Sequence, residues 1–351
     1  ELKNAVGLLK DDRCFLSPHV GDVENLSTHD FFTETVRTLG SLLECEPEVL
    51  ACDRHPSYLT SRWAREEAKR RDLPLVEVQH HHAHMVATMA EHGLDRPAVG
   101  LILDGTGYGD DGTIWGGEIL IGEPTGFRRA GCLEPLPLPG GDAAIKAPWR
   151  TAVALLQSIH GDQLPDLPWL QDKPVDMVIE MIRKGVNVPM SSSCGRLFDA
   201  AAAMTGRWSE VRYEAQAAVE FTALTTVDES RSASSIPAII DEVDGLSVLR
   251  TVPLVRGSTQ GRDLVSNPSE FAAIFHRSLA DLLIDATATI AQREGLTDVV
   301  LGGGTFQNEI LMALIPEGLT ARGLRVHRPV QLSPNDGGLA LGQAIVARAS
   351  L

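Results

Sequence analysis

The sequence predicts an α/β protein of two similar lobes with a ligand cleft between them. An apolar hairpin followed by alternating helices and strands occurs twice along the 351 residues, and histidine- or glycine-rich segments recur where predicted strands end. The composition, 43% hydrophobic and 22% charged, is that of a soluble globular chain large enough for more than one lobe.

The first copy opens with the hairpin Ala5–Leu9, turn Lys10–Arg13 and return strand Cys14–Leu16. A helix is expected from about Ser27 to Leu43, where Phe31, Val36, Leu39 and Leu43 fall near helical spacing. Then come a strand (Val49–Cys52), a helix opening at Pro56, a strand (Leu75–Val78) and a helix from the histidine run to about Gly93. The second copy starts with the strand Ala98–Leu103, turns through Asp104–Gly112 and returns over Thr113–Ile121. A helix from Pro268 to Glu294 follows, then a strand (Asp298–Leu301), a helix after Thr305, a strand (Arg325–His327) and a closing helix from about Asp336. Residues 1–95 are thus expected to form one lobe and 96–351 the other, with a large insertion at about 123–261. That is the architecture of the actin-like ATPase and sugar-kinase superfamily (ASKHA), in which ligands sit where lobes or sheets meet.

A net charge of −16 argues against a broad nucleic-acid-binding face. No apolar run reaches membrane-spanning length and no signal peptide is visible, so a cytoplasmic protein is expected. The five cysteines are scattered without a CxxC pair and read as reduced thiols. The start at Glu1, without a methionine, reads as a piece of a longer protein.

The strongest local signal is Gln79-His80-His81-His82-Ala83-His84, after an apolar strand and at a helix start. His80 and His84 are four apart and share one helix face, a spacing that suits two imidazoles on one divalent metal. The lack of a glutamate after the first histidine removes the zinc-protease reading. The repeat sets Asp336, at the start of the last helix, opposite the histidine run; it suits a metal ligand or a helix cap equally. Asp104-Gly105-Thr106-Gly107-Tyr108-Gly109 combines a strand-end carboxylate with glycines that let backbone approach a phosphate, though a plain hairpin turn has the same composition. Leu301-Gly302-Gly303-Gly304-Thr305-Phe306-Gln307-Asn308 offers free N–H groups at a strand-to-helix turn, suited to phosphate or adenosine or simply to a tight turn. Asp199, Glu214 and Gln216 lie at helix starts and suit ribose hydroxyls or solvent. Cys194 has no identifiable base and reads as a small capping residue, and His276 reads as a hydrogen-bonded core histidine.

Taken in order, Cys52-Asp53-Arg54-His55-Pro56, the run Val78–His84, Leu103–Gly109, Pro139-Gly140-Gly141-Asp142-Ala143-Ala144-Ile145, Pro148-Trp149-Arg150, Cys194–Asp199, Tyr213–Ala218 and Ser333–Gly338 resemble the hydrogenase maturation carbamoyltransferases of the HypF family. The likeness runs the length of the chain and is to the family's C-terminal, TsaD-like carbamoyl-transfer domain. Two departures stand out: Lys146-Ala147 where the family usually has Arg-Glu, and Gly302-Gly303-Gly304-Thr305 where it usually has Ser-Gly-Gly-Val.

The resemblance implies metal ligation by His80, His84, Asp104 and Asp336; mixed histidine and aspartate ligation suits iron or zinc and leaves other divalent ions open, with magnesium able to accompany a nucleotide. It implies that ATP or carbamoyl-adenylate is held near Gly105, Thr106, Gly107, Asp199, Glu214, Gln216, Gly302, Gly303, Gly304 and Asn308. Upstream acylphosphatase-like, zinc-finger and adenylate-forming domains belong to the full-length family pattern and are absent from this sequence. The implied reaction moves the carbamoyl group of carbamoyl-adenylate to the C-terminal cysteine of HypE, on the way to a cyanide ligand of nickel–iron hydrogenase. No general base or catalytic side chain is identifiable from the sequence. A free-standing small-molecule O-carbamoyltransferase and a non-catalytic nucleotide-binding docking domain are the alternatives.

Overall fold

The computed structural model describes residues 2–351; Glu1, where the expected first lobe begins, lies outside the described residues. The first copy contains β1 (Gly7–Lys10), β2 (Arg13–Leu16), α1 (Leu26–Leu42), β3 (Leu50–Asp53), α2 (Leu59–Arg71), β4 (Leu75–Val78) and α3 (His80–Glu91). Its strands are only four residues each and make two separate two-stranded sheets, the antiparallel pair β1–β2 and the parallel pair β3–β4. A small core of Val6, Val20, Val23 and Phe32 packs α1 against α2 and the segments flanking the hairpin, with Phe32 edge-on to Trp63 of α2.

The second copy begins with the antiparallel meander β5 (Ala98–Tyr108), β6 (Ile114–Glu123) and β7 (Gly126–Leu133). The short strand β8 (Leu136–Pro137), α4 (Asp142–Lys146), α5 (Trp149–His160) and α6 (Val175–Lys184) follow. Next are β9 (Met190–Ser191), α7 (Cys194–Met204), α8 (Gln216–Thr222), α9 (Val227–Ser232), β10 (Ile240–Val243), β11 (Leu246–Leu249) and α10 (Thr251–Thr259). The chain ends with α11 (Pro268–Glu294), β12 (Asp298–Gly302), α12 (Glu309–Ala321), β13 (Arg325–His327) and α13 (Leu339–Ala349). One nine-stranded sheet runs β10-β11-β7-β6-β5-β12-β13, with β8 and β9 attached at the end of β6. β12 and β13 run parallel to β5, as strands that return through helices must.

The stretch 123–261, expected as an insertion in the second lobe, is built into that lobe: β7, β10 and β11 extend the main sheet, and α5, α7 and α10 bury its largest core together with α11 and α12. The lobes are unequal. The first copy lacks the pairing that joins β5 to β12 in the second, so its hairpin and its parallel pair stay separate sheets. They are covered instead by α13 from the far end of the chain, which packs on β1, β2, β3 and β4. In exchange α3 packs on β5, β6 and β12 of the main sheet. α3 and α13 lie against each other so closely that a Cβ at Gly342 would overlap the carbonyl of Ala83. The predicted turn 104–112 is shorter than expected: β5 continues to Tyr108 through a register shift between Leu103 and Gly107. The helix expected at Pro56 starts at Leu59, and the one expected after Thr305 is a 3-10 turn, Gly304–Gln307, ahead of α12. All five cysteines are free. Among the described residues no helix is long and apolar enough to cross a membrane.

Candidate metal centre

The exchange of helices brings three chain segments to one point. Gln79 caps α3 by accepting the His82 N–H at 2.9 Å, and the first turn then projects His80 and His84 from one face with ring centroids 4.9 Å apart. Asp104 enters from β5 at the register shift. Asp336 enters from a 3-10 turn, Asp336–Gly338, that leads into α13. Asn335 caps that turn by accepting the Gly337 N–H, so Asp336 is not its cap and the Asp336 carboxylate faces the cluster.

One donor atom from each of His80, His84, Asp104 and Asp336 lies within 4.8 Å of the other three. His80 Nε2 is 3.1 Å from Asp104 Oδ2 and 3.6 Å from Asp336 Oδ1; His84 Nε2 is 3.5 and 3.4 Å from the same two oxygens. Those last distances are too long for good hydrogen bonds, and His84 Nε2 is buried without a partner. A buried imidazole nitrogen aimed at two carboxylates and left unbonded is what a metal ligand looks like without its metal, and two imidazoles with two carboxylates suit iron(II) or zinc. Burial works against charge on both histidines, yet the facing Asp336 and Asp104 carboxylates raise the pKa of His80 well above, and that of His84 above, the ordinary value. Asp104 is buried and Asp336 half-buried, and the same histidines hold both carboxylates below the usual carboxylate range.

The surrounding groups fix the donors. Asp104 Oδ1 accepts N–H bonds from Gly105 at 2.8 Å and Gly304 at 3.1 Å, turning Oδ2 toward the histidines. His80 Nδ1 lies 2.7 Å from Asp53 Oδ2 at the end of β3. His81 and His82 point elsewhere. His81 takes a hydrogen bond from the Gln79 amide and lies beside Trp115, and burial drives its pKa down to about 3. His82 donates to the Glu123 carbonyl and stacks on Phe127.

The residues expected to hold nucleotide are spread more widely. Gly303 donates its N–H to the Pro334 carbonyl at 3.0 Å and Gly304 donates to Asp104, so two amides of the triplet are already engaged. Gly302 lies in the ladder between β12 and β5. A Cβ at Gly303, where φ is +93°, would overlap the Leu103 carbonyl, so the triplet lets β12 close on β5. Gly105 is open above its Cα, whereas a Cβ at Gly107 would strike the His81 ring. Thr106 lies between them on β5, half-buried. Asp199 is buried and paired with Arg196 at 2.7 Å; burial raises its pKa despite that partner. Glu214 is exposed and reaches Lys3 at 2.5 Å, and Gln216 bonds Glu220 at 2.9 Å. Asn308 caps α12 and bonds His276 Nε2 at 3.1 Å. His276 is the buried core histidine expected, with Nδ1 donating to the Ala272 carbonyl at 2.7 Å. Cys194 is the first residue of α7 and Ser193 is its cap, correcting the expectation for Cys194.

Sequence reasoning missed Asp53, which was quoted within a motif but given no role; a polar residue ending a short strand carries no periodic signal. It also missed Glu118. That fully buried carboxylate bonds Arg129 at 2.7 Å and accepts the Gly116 and Gly117 N–H groups and the Ser192 hydroxyl. A Cβ at Gly116 would come 2.7 Å from the Asp104 carbonyl, so this network braces the strand behind the centre.

Fold and centre together define a Kae1-like α/β protein, and comparison with known proteins agrees. Residues 1–91 match the family described as the HypF Kae1-like domain, and residues 100–343 match the second subdomain of the carbamoyltransferase Kae1-like domain. The chain belongs to the HypF carbamoyltransferase family. It is 40% identical to carbamoyltransferase HypF2 of Cupriavidus necator over 98% of this chain and 45% of that protein. A carbamoyltransferase HypF homolog of the same organism is 39% identical over 99% of this chain and 89% of its own length. A solved structure of full-length HypF in its phosphate- and nucleotide-bound form superimposes with a TM-score of 0.89 at 34% identity, covering 99% of this chain and 54% of that one. The chain therefore spans about half the length of most of the relatives it matches.

Proposed function

We propose that this chain transfers a carbamoyl group from carbamoyl-adenylate to a cysteine thiolate of a partner protein, HypE, in hydrogenase maturation. The observation that carries the reading is the four-donor cluster, three donors buried and Asp336 half-buried, set in a fold whose relatives are named carbamoyltransferases. A divalent ion held by His80, His84, Asp104 and Asp336 would supply Lewis-acid polarisation of an acyl or phosphoryl oxygen. The protein's own part is to hold that geometry: Gly304 aims Asp104, and Asn335 leaves Asp336 free of capping duty.

The acceptor sulfur belongs to the partner in this reading because the chain's buried thiols are poor nucleophiles. Burial pushes Cys52 up to about 11 and Cys132 and Cys194 to about 12, so none is a thiolate at neutral pH. The nucleotide-bound state of the full-length HypF structure supports an adenine nucleotide as the donor's carrier. The Gly105 face of β5, adjacent to Asp104, is its proposed entry.

Elemental analysis and mass spectrometry of the HypE C-terminal peptide test the two halves of the proposal. The purified chain is expected to hold one divalent ion and to lose it in a His80→Ala, His84→Ala double variant. Given HypE and carbamoyl-adenylate, it is expected to form the thiocarbamate; given carbamoyl phosphate and ATP alone, it is not. Full metal occupancy in the double variant would refute the ligand assignment. Efficient product from carbamoyl phosphate would refute the transfer-only role.

A further inference from the structure

We infer that Asp53 is the positioning residue of the metal centre: it holds the proton of His80 on Nδ1 and thereby presents Nε2 as the ligand atom. This rests on the proposed metal site. Asp53 is the last residue of β3 and is 7% exposed, and His80 is its one ion-pair partner among the described residues. A buried carboxylate needs such a partner, because desolvation is otherwise uncompensated. Its two oxygens are divided: Oδ2 faces His80 Nδ1 at 2.7 Å, and Oδ1 accepts the His55 N–H at 2.8 Å. The Ser61 hydroxyl donates to the Asp53 carbonyl at 2.8 Å, which anchors the strand end from α2. Since Oδ2 can only accept, the shared proton sits on Nδ1, which leaves Nε2, the nitrogen that faces Asp104 and Asp336, as the atom that would give its lone pair to the ion.

The division of oxygens makes Asp53→Asn informative. The His55 N–H claims the amide oxygen, so the amide NH2 faces His80 Nδ1. The ring must then accept at Nδ1 and carry its proton on Nε2, where the metal binds. Outer partners of metal-bound histidines typically alter affinity by about 10–100-fold when removed. The same loop brings the His55 ring flat against Tyr58 at 3.9 Å and edge-on to Tyr108 at 5.4 Å, so the first lobe reaches the centre through Asp53.

The experiment measures zinc affinity by chelator competition at neutral pH, and the melting temperature of each zinc-free protein. Wild type is compared with Asp53→Asn, Asp53→Glu and His84→Ala. Expected are a loss of about 10–100-fold in Asp53→Asn with little change in zinc-free melting, partial recovery in Asp53→Glu, and loss of tight binding in His84→Ala. Asp53→Asn binding zinc within threefold of wild type while His84→Ala does not would overturn the inference. So would equal losses in Asn and Glu variants that both melt early without zinc, the mark of a merely structural residue. Should Asp53→Asn fail to fold, Asp53→Glu is read alone: a zinc affinity nearer to that of wild type than to that of His84→Ala supports the inference, and a loss as large as that of His84→Ala overturns it. Retention of zinc by His84→Ala would instead count against the metal site itself.

Discussion

Gly303→Ala and Gly105→Ala separate what the glycines do for the fold from what they do for a ligand. Gly303 has φ +93° and ψ 152°, a region occupied essentially by glycine alone, and holding alanine there costs about 1–3 kcal/mol. The added methyl also overlaps the Leu103 carbonyl, a backbone atom that cannot swing aside, and overpacking of that kind adds about 1–3 kcal/mol. A combined loss of about 2–6 kcal/mol is a large share of a typical domain stability of about 5–15 kcal/mol. Relief by separating β12 from β5 would also carry the Gly304 N–H away from Asp104, so zinc affinity should fall in the same variant. At Gly105 no atom lies within 4 Å of an added Cβ, and stability should stay within about 0.5 kcal/mol of wild type. Urea unfolding without ligand reads the first difference, and calorimetry with ATP reads the second. A Gly303→Ala protein within about 1 kcal/mol of wild type, with unchanged zinc affinity, would refute the structural reading of the triplet. A Gly105→Ala protein that binds ATP like wild type would remove that face of β5 from the nucleotide site.

Three further outcomes are expected. His276 is buried neutral and burial lowers its pKa from 6.5 to about 4, so the unfolded chain takes up this proton first as pH falls. Relative to His276→Gln, wild type should therefore lose up to about 3 kcal/mol between pH 6.5 and 4 and nothing above pH 7; a flat difference in urea stability across that window would contradict it. Gly342→Val should force α13 off α3 and lower the melting temperature by several degrees; wild-type melting would mean the helix crossing yields more easily than its backbone contact implies. Metal at about 100 times its dissociation constant should stabilise the wild type by about 2.7 kcal/mol in urea unfolding and leave the His80→Ala, His84→Ala variant unmoved.

What was legible in the sequence was local or periodic. His80 and His84 announce themselves by helical spacing, and Asp336 by its position at the matching helix start of the second copy. The β5 carboxylate could be placed at a strand end but not at a register shift, because a bulge is decided by pairing with β6 rather than by residues 103–107 alone. The status of residues 123–261 was not legible either. Strands β10 and β11 are four residues long and gain their place only by pairing with β7, whose neighbour in the sheet is distant in sequence. Asp53 escaped notice for the same reason: its role depends on a histidine 27 positions away that only the parallel pairing of β3 with β4 brings near.

That pairing also explains why so reduced a first lobe persists. Its four short strands could not form an independent sheet with its own buried face, and two-stranded sheets are marginal alone. They are ordered by α13, and α3 is ordered by the main sheet, so neither copy is complete without a helix from the other. The metal-site donors lie where this exchange occurs: two histidines begin the helix that leaves the first copy, Asp336 begins the approach of the helix that enters it, and Asp104 stands on the strand that receives α3. A displacement of either helix separates donors that come from opposite ends of the chain. On the proposed site, metal affinity should therefore report whether the two copies are docked, because a displacement of either helix moves His80 and His84 or Asp336 away from Asp104.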